Sequence, residues 1–161
     1  MNGEPESAWP EGQKALQEYR EQIDAIDREV IDRLQQRVEL AAKIGRVKHE
    51  RGEPIYAPER EERVFAHIAE LNAGKLPEAA LRAIYREIIS MSISREEHML
   101  IGYLGPEATY THQAARNNFG ASLRYQPFPL IADVFAAVER GEVHYGVIPI
   151  ENSSEGGVFH S

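Results

Sequence analysis

Two cationic residues lie on the apolar face of a long helix predicted near the start of the chain. On a helical wheel at about 100° per residue, one stripe about 80° wide collects residues at helical spacing. Eight of its ten members are apolar or aromatic: Leu16, Tyr19, Ile23, Ile26, Val30, Leu34, Ala41 and Ile44. The other two, Arg37 and Lys48, are 11 residues apart. That spacing is roughly 16 Å along a helix, which suits a small ligand with several negative charges held between two long side chains.

Cations on an apolar face are costly to bury unless an opposite charge pairs with them. Acidic residues of other helices, an anionic small molecule, or a polar specificity device in a coiled coil would each meet this requirement. Arg20 precedes Arg37 by 17 residues and points about 100° away from it on the wheel. It serves the same site only from a second chain in an antiparallel dimer; otherwise it is a solvated arginine.

Four further polar residues stand at positions that could serve a ligand. Arg60 and Glu61 fall in the first turn of a second predicted helix. A glutamate there interacts favourably with the helix dipole, whereas an arginine is less expected. Ser92 and Glu96 are one turn apart on the core-facing side of a third predicted helix. A carboxylate that is buried there tends to become protonated.

The first hundred residues predict three helices. The first runs from Gln13 to Glu50 and is stopped by Gly52 and Pro54; the second runs from Pro58 to Asn72. The third begins near Pro77 or Glu78 and reaches about His98. The first helix is about 55 Å long, longer than a domain of this size is wide. We therefore expect a partner helix from a second copy of the chain.

The sequence beyond Leu100 predicts alternating strands and helices. The strands are 100–104, 123–128 and 143–150, and the helices are 109–119 and 130–140. This β-α-β-α-β order indicates a parallel sheet, with a further helix expected after Gly157. The run 151–157 is rich in hydrogen-bond donors and is either a carboxylate-binding loop or a flexible surface loop. The expected fold is an all-α three-helix domain followed by an incomplete α/β segment.

Composition excludes several classes of function. The chain has 161 residues, no cysteine and a formal net charge of −8. It therefore has no disulfide, no thiolate metal site and no cysteine nucleophile, and an acidic chain is a poor nucleic-acid binder. Six histidines show no metal-ligand spacing. No apolar run reaches the roughly 18 residues of a membrane span. The first residues lack the features of a secretory signal, so a cytoplasmic location is expected.

Two stretches of the sequence resemble known families. The first, YREQIDAIDREVIDRLQQRVELAAKIGRVK with IYAPERE and EIISMSISREE, is similar to the all-helical chorismate mutase domain. The second, IGYLGPEATYTHQAA with ADVFAAVERGEVHYG and VIPIENSSEGG, resembles the start of prephenate dehydratase. Their order is that of the bifunctional enzymes of phenylalanine biosynthesis. Residues 1–12 are expected to be a disordered tail. The resemblance implies a helical mutase domain over 13–99 that dimerises through the long helix, and a truncated dehydratase domain over 100–161.

The resemblance also implies roles for the polar residues. Lys48 would bond the ether oxygen and a carboxylate of chorismate, and Glu96 would face the ether oxygen. Arg37 and Ser92 would bind carboxylates, Glu61 the substrate hydroxyl, and Arg60 would line the rim. Arg20 would reach the site across the dimer.

The implied reaction, chorismate to prephenate, is a unimolecular rearrangement that needs no cofactor and no metal. The protein holds the compact conformer and stabilises negative charge on the ether oxygen. Glu96 donates to that oxygen only when protonated, so we expect activity to rise as the pH falls below neutral. We expect no dehydratase activity. The alternatives are a non-catalytic helical dimer, or an isochorismate pyruvate lyase on the same scaffold.

Overall fold

The structure is a computed structural model that describes residues 9–96, 98–152 and 156–157. The chain divides into two compact units, Met1–Glu39 and Leu40–Ser161. Residues 1–8 of the predicted tail lie outside the described part of the chain. Among the described residues, no helix is long and apolar enough to cross a membrane.

The three predicted helices are confirmed with small changes at their ends. They are α1 (Trp9–Glu50), α2 (Pro58–Asn72) and α3 (Glu78–Glu96). The predicted start of α1 at Gln13 was wrong, because the helix begins four residues earlier. Pro10 is compatible with this start, since a first-turn proline lacks only an N–H that has no helical partner. The predicted end of α3 at His98 was also wrong, because the helix ends at Glu96.

Local signals explain where these helices end. After α1, the Gly52 backbone is left-handed, with φ +66°, and its N–H donates to the His49 carbonyl at 3.1 Å. Glycine adopts this conformation without the steric cost of a Cβ. Ala57 precedes α2 in an extended conformation, and its carbonyl accepts from the N–H groups of Arg60 and Glu61 at 3.0 and 3.1 Å. The loop therefore delivers Pro58 to the first helical position, where its fixed φ is suitable.

The α/β segment contains the predicted parallel sheet. Its elements are β1 (Leu100–Leu104), α4 (Tyr110–Phe119), β2 (Arg124–Phe128), α5 (Ile131–Glu139) and β3 (Tyr145–Val147). The strand order is β2-β1-β3, and β1 pairs in parallel with both neighbours. The fold class expected from the sequence, three helices followed by an α/β segment, is confirmed.

The third strand is much shorter than the predicted range 143–150. It covers Tyr145–Val147, and Val143 lies before it as a buried residue whose N–H donates to the Ala137 carbonyl. Pro149 has no N–H and so cannot continue the ladder. A short antiparallel pair follows, β4 (Glu151–Asn152) with β5 (Gly156–Gly157). The further helix expected after Gly157 lies outside the described residues, and the carboxylate-binding role of 151–157 stays a prediction.

The two faces of β1 are covered by different elements. Ile101 and Tyr103 belong to one core with Ala115 and Phe119 of α4. A Cβ on Gly102, which points to the opposite face, would meet Phe128 and Val143 at 3.0 and 3.1 Å. The α4-side core also includes three residues outside the βαβαβ unit: Tyr56, Ile93 and Met99. The helical segment therefore supplies part of the apolar surface that the short sheet needs.

Two side chains of α3 accept hydrogen bonds from the loop between α4 and β2. Both carboxylate oxygens of Glu87 accept from the Ala121 N–H at 3.0 Å, and the Ser90 hydroxyl accepts from the Ser122 N–H at 3.2 Å. Gly120 has φ +81°, and a Cβ there would overlap the Ser90 side chain. Tyr125 donates to the Gly120 carbonyl, and burial raises the pKa of that phenol to about 12. These contacts fix the position of α3, which carries two of the predicted site residues.

Candidate functional site

The N-terminal unit presents the predicted apolar stripe of α1 to solvent. Tyr19, Ile23 and Ile26 are 62%, 55% and 58% exposed, and Leu16 and Val30 are exposed too. Arg20 is also exposed, and Arg37 is half-buried. A row of large apolar side chains along one side of a helix is typical of an interaction surface.

Lys48 lies in the last turn of α1, in the second unit. Its ammonium donates to the backbone carbonyls of Pro54 and Ile55 at 3.1 and 2.8 Å. A lysine at the C-terminal end of a helix also interacts favourably with the helix dipole. An ammonium carries three N–H donors, so these two bonds do not exhaust it. Lys48 thus holds the loop that leads to α2 and retains the capacity to bind an acceptor.

The Glu96 side chain lies against α1 at Gly45, one helical turn before Lys48. A Cβ built on Gly45 would lie 2.5 Å from Oε2 of Glu96. Lys48 follows Gly45 by three residues, and residues three apart on a helix are neighbours on one face. Ser92 lies one turn before Glu96 on α3 and is buried, and its hydroxyl donates to the Ile88 carbonyl at 2.8 Å. Lys48, Ser92 and Glu96 therefore occupy one region of the second unit.

Glu61 is a buried carboxylate with a partly buried arginine as its partner. The Glu61 side chain is 8% exposed, and it forms an ion pair with Arg86 of α3, which is 12% exposed. Its negative charge also reaches Tyr56: burial first, and then the Glu61 charge, raises the pKa of the Tyr56 hydroxyl. Arg60, the adjacent residue on α2, is exposed. Arg86 lies about 9 Å before Ser92 along α3. Its partner Glu61 therefore contacts α3 at a different level from Ser92 and Glu96.

Two ion pairs join α2 and α3, and both arginines lie over the ring of Phe65. Arg82 and Arg86 place their guanidinium carbons 4.1 and 4.6 Å from the centroid of Phe65. Arg82 pairs with Glu62 at 3.0 Å on the exposed side, while Arg86 pairs with Glu61 on the buried side. Cations over an aromatic face add to the attraction between the helices.

Arg86 and Gly45 are the residues that sequence reasoning missed as parts of this site. Two arginines one turn apart on α3 and two consecutive glutamates at the start of α2 are complementary in charge. This was a weak signal, because cross-helix pairing depends on the geometry of the connecting loop. Gly45 gave no signal of a ligand role, since an isolated glycine in a helix only lowers helix propensity.

A pocket of about 430 Å³ lies beside the loop that Lys48 contacts in the second unit. It is lined by residues 52–56 and His49, and by Met99, His144 and Tyr145. It contains none of the predicted site residues. Within the described ranges, no group of three or more His, Asp or Glu residues is arranged to hold a metal ion.

Comparison with protein families assigns the two halves of the chain. Residues 19–97 match the family model of chorismate mutase type II, and residues 101–161 match that of prephenate dehydratase. The helical segment is a chorismate mutase type II domain. The segment that follows it belongs to the prephenate dehydratase family. All seven predicted site residues fall within the mutase match.

Some curated relatives match the chain across both segments. The bifunctional chorismate mutase/prephenate dehydratase of Aquifex aeolicus is 47% identical over 150 residues, which are 91% of this chain and 41% of the relative. The protein of the same name from Pseudomonas aeruginosa is 38% identical over 154 residues, 92% of this chain and 42% of the relative. The T-protein of Haemophilus influenzae is 43% identical over 82 residues, 51% of this chain and 20% of the relative. The chain thus spans about two fifths of the bifunctional relatives.

Among solved structures, a prephenate dehydratase from Streptococcus mutans is similar to part of the chain. It is 42% identical and covers 37% of this chain and 31% of its own, with a TM-score of 0.35.

Proposed function

We propose that this chain is a chorismate mutase that rearranges chorismate to prephenate. The observation that carries the proposal is the approach of Glu96 to the Gly45–Lys48 turn of α1, within a domain of the chorismate mutase type II family. Lys48 follows Gly45 by one helical turn, so in the proposal its ammonium and the Glu96 carboxyl group both contact one ether oxygen. The reaction is unimolecular, so positioning and preorganised hydrogen-bond donors account for the rate.

The proposal assigns a separate task to each side chain. Lys48 donates to the ether oxygen as the C–O bond breaks, and protonated Glu96 donates to the same atom. Arg37 and Ser92 hold the substrate carboxylates, since the arginine fork matches a carboxylate. Glu61 accepts from the substrate hydroxyl, a role that suits a carboxylate held beside Arg86. Arg60 lies at the rim, as its exposure allows.

We further propose that the working form is a homodimer joined through α1. The exposed stripe of Leu16, Tyr19, Ile23, Ile26 and Val30 supports this, because removing apolar surface from water favours protein–protein association. A second copy would cover the stripe and bring its Arg20 to the site. The cytoplasmic location expected from the sequence stays a prediction.

The decisive experiment follows chorismate disappearance with purified protein and identifies the product. Prephenate is the expected product. If chorismate is not consumed but isochorismate yields pyruvate, the mutase proposal is wrong and the lyase alternative is favoured. Addition of prephenate tests the expected lack of dehydratase activity, which phenylpyruvate formation would contradict.

A further inference from the structure

Helix α1 contains two glycines whose surroundings differ completely. A Cβ on Gly12 would meet no atom within 4 Å, whereas Gly45 is buried and a Cβ there would meet the Glu96 side chain. Glycine in a helix interior lowers stability relative to alanine. At Gly45, therefore, the absence of a side chain has a steric reason that is lacking at Gly12.

The contact at Gly45 involves the carboxyl end of the Glu96 side chain. The ideal Cβ position lies 2.5 Å from Oε2, 3.0 Å from Cδ and 3.0 Å from Cγ of that residue. A Cβ at these distances overlaps the carboxyl group, so an alanine would force it aside. The atoms that must yield are at the free end of a flexible side chain. The helices can therefore stay in place while the carboxyl group moves.

We propose that Gly45 is a positioning residue for Glu96: its missing side chain lets the carboxyl group lie against α1, one turn from Lys48. This inference rests on the proposed mutase function and adds a residue to its site. Gly45 touches no substrate atom in this role. It sets the distance between the Glu96 carboxyl group and the Lys48 ammonium, and thereby the point at which both meet the ether oxygen.

This role predicts opposite effects on stability and on rate. Gly45→Ala removes the unfavourable helix propensity of glycine, so the melting temperature should stay the same or rise. The same change displaces the carboxyl group, and a displacement of about 1 Å in a positioned site lowers the rate by about 100-fold. A merely structural glycine would instead lose stability and activity together.

The first test compares Gly45→Ala with Gly12→Ala as a matched control. We expect kcat/KM for chorismate to fall 10- to 100-fold in Gly45→Ala with the dimer and melting temperature retained, and to be unchanged in Gly12→Ala. In the Glu96→Ala background, adding Gly45→Ala should change kcat/KM by less than about twofold, because the group to be positioned is gone. Full activity of Gly45→Ala, or a further tenfold loss in the double variant, would overturn the proposal.

A second readout does not depend on turnover. Carbon NMR of carboxyl-labelled glutamate, assigned with Glu96→Gln, follows the titration of the Glu96 carboxyl group. Its midpoint should shift in Gly45→Ala and stay constant in Gly12→Ala. An identical titration in wild type and Gly45→Ala would overturn the positioning role. If the wild type fails to convert chorismate, the proposed function fails, while this NMR comparison still decides the role of Gly45.

Discussion

The first and second units of the chain bury their apolar residues to very different degrees. In the second unit, Ile101 and Tyr103 are fully buried and Met99 is 2% exposed, in one core with α4 and part of α3. In the first unit, Ile23 and Ile26 remain more than half exposed, although they recur at regular helical spacing with the other apolar residues of α1. An amphipathic pattern thus predicts that a surface must be covered, but a single chain covers it only where a second element is available.

The largest expected effect tests the exposed stripe. Ile26→Asp places a charge on it, and in a symmetric dimer the change occurs twice. We expect a loss of about 3–6 kcal/mol of association free energy, from the burial of two isoleucines. Sedimentation should show monomers at micromolar concentration, with chorismate turnover reduced. The control is Gln22→Glu, a charge at an exposed polar position of the same helix. Persistence of the dimer in Ile26→Asp would contradict the proposed interface.

The next effect separates a substrate site from an interface device. Arg37→Ala should lower kcat/KM by about 100-fold or more, because a buried carboxylate of the substrate loses its charged partner. The dimer should remain intact. Arg33→Ala, one turn earlier at an exposed position, should retain activity. If instead Arg37→Ala changes the oligomeric state and the domain proves inactive, the arginine is a register device of a helical dimer.

A smaller effect is expected inside the second unit, at the largely buried Glu61–Arg86 ion pair. Arg86→Gln should lower the free energy of unfolding by about 2 kcal/mol, because Glu61 loses its charged partner while glutamine keeps a donor. It should also raise KM, as Glu61 moves. Arg82→Gln removes the exposed pair with Glu62 and should cost less than about 1 kcal/mol. Urea unfolding of both variants measures the difference, and equal losses would contradict the distinction between them.

The smallest effect concerns Glu96 and pH. Mutase activity should rise as the pH falls below neutral, because only the protonated carboxyl group donates to the ether oxygen. Glu96→Gln donates at every pH, so its profile should be flat and its rate at pH 7 should change by roughly tenfold or less. Profiles of kcat/KM between pH 5 and 8 measure this. A rise at low pH that persists in Glu96→Gln would assign it to another group.

The sequence by itself determined the elements and the class of fold. The ends of several elements follow from short-range rules, since φ preferences and capping depend on adjacent residues. Examples are the start of α2 at Pro58, the stops at Gly52 and Asn72–Gly74, and the strand at Leu100–Leu104. It also identified the apolar stripe of α1, because periodicity along one helix is a local property. The length of β3 was overestimated because the range 143–150 was treated as a continuous run in spite of Pro149.

Only the tertiary structure decided how residues of different helices meet. Glu96 lies against Gly45, 51 positions away, and Glu61 pairs with Arg86, 25 positions away. These contacts depend on the turns at 51–57 and 73–77, which set the relative placement of α2, α3 and the end of α1. A change of one residue in a connecting turn would rotate the facing side chains by about 100°. The candidate site residues could therefore be identified from the sequence, whereas the residues that they contact could not.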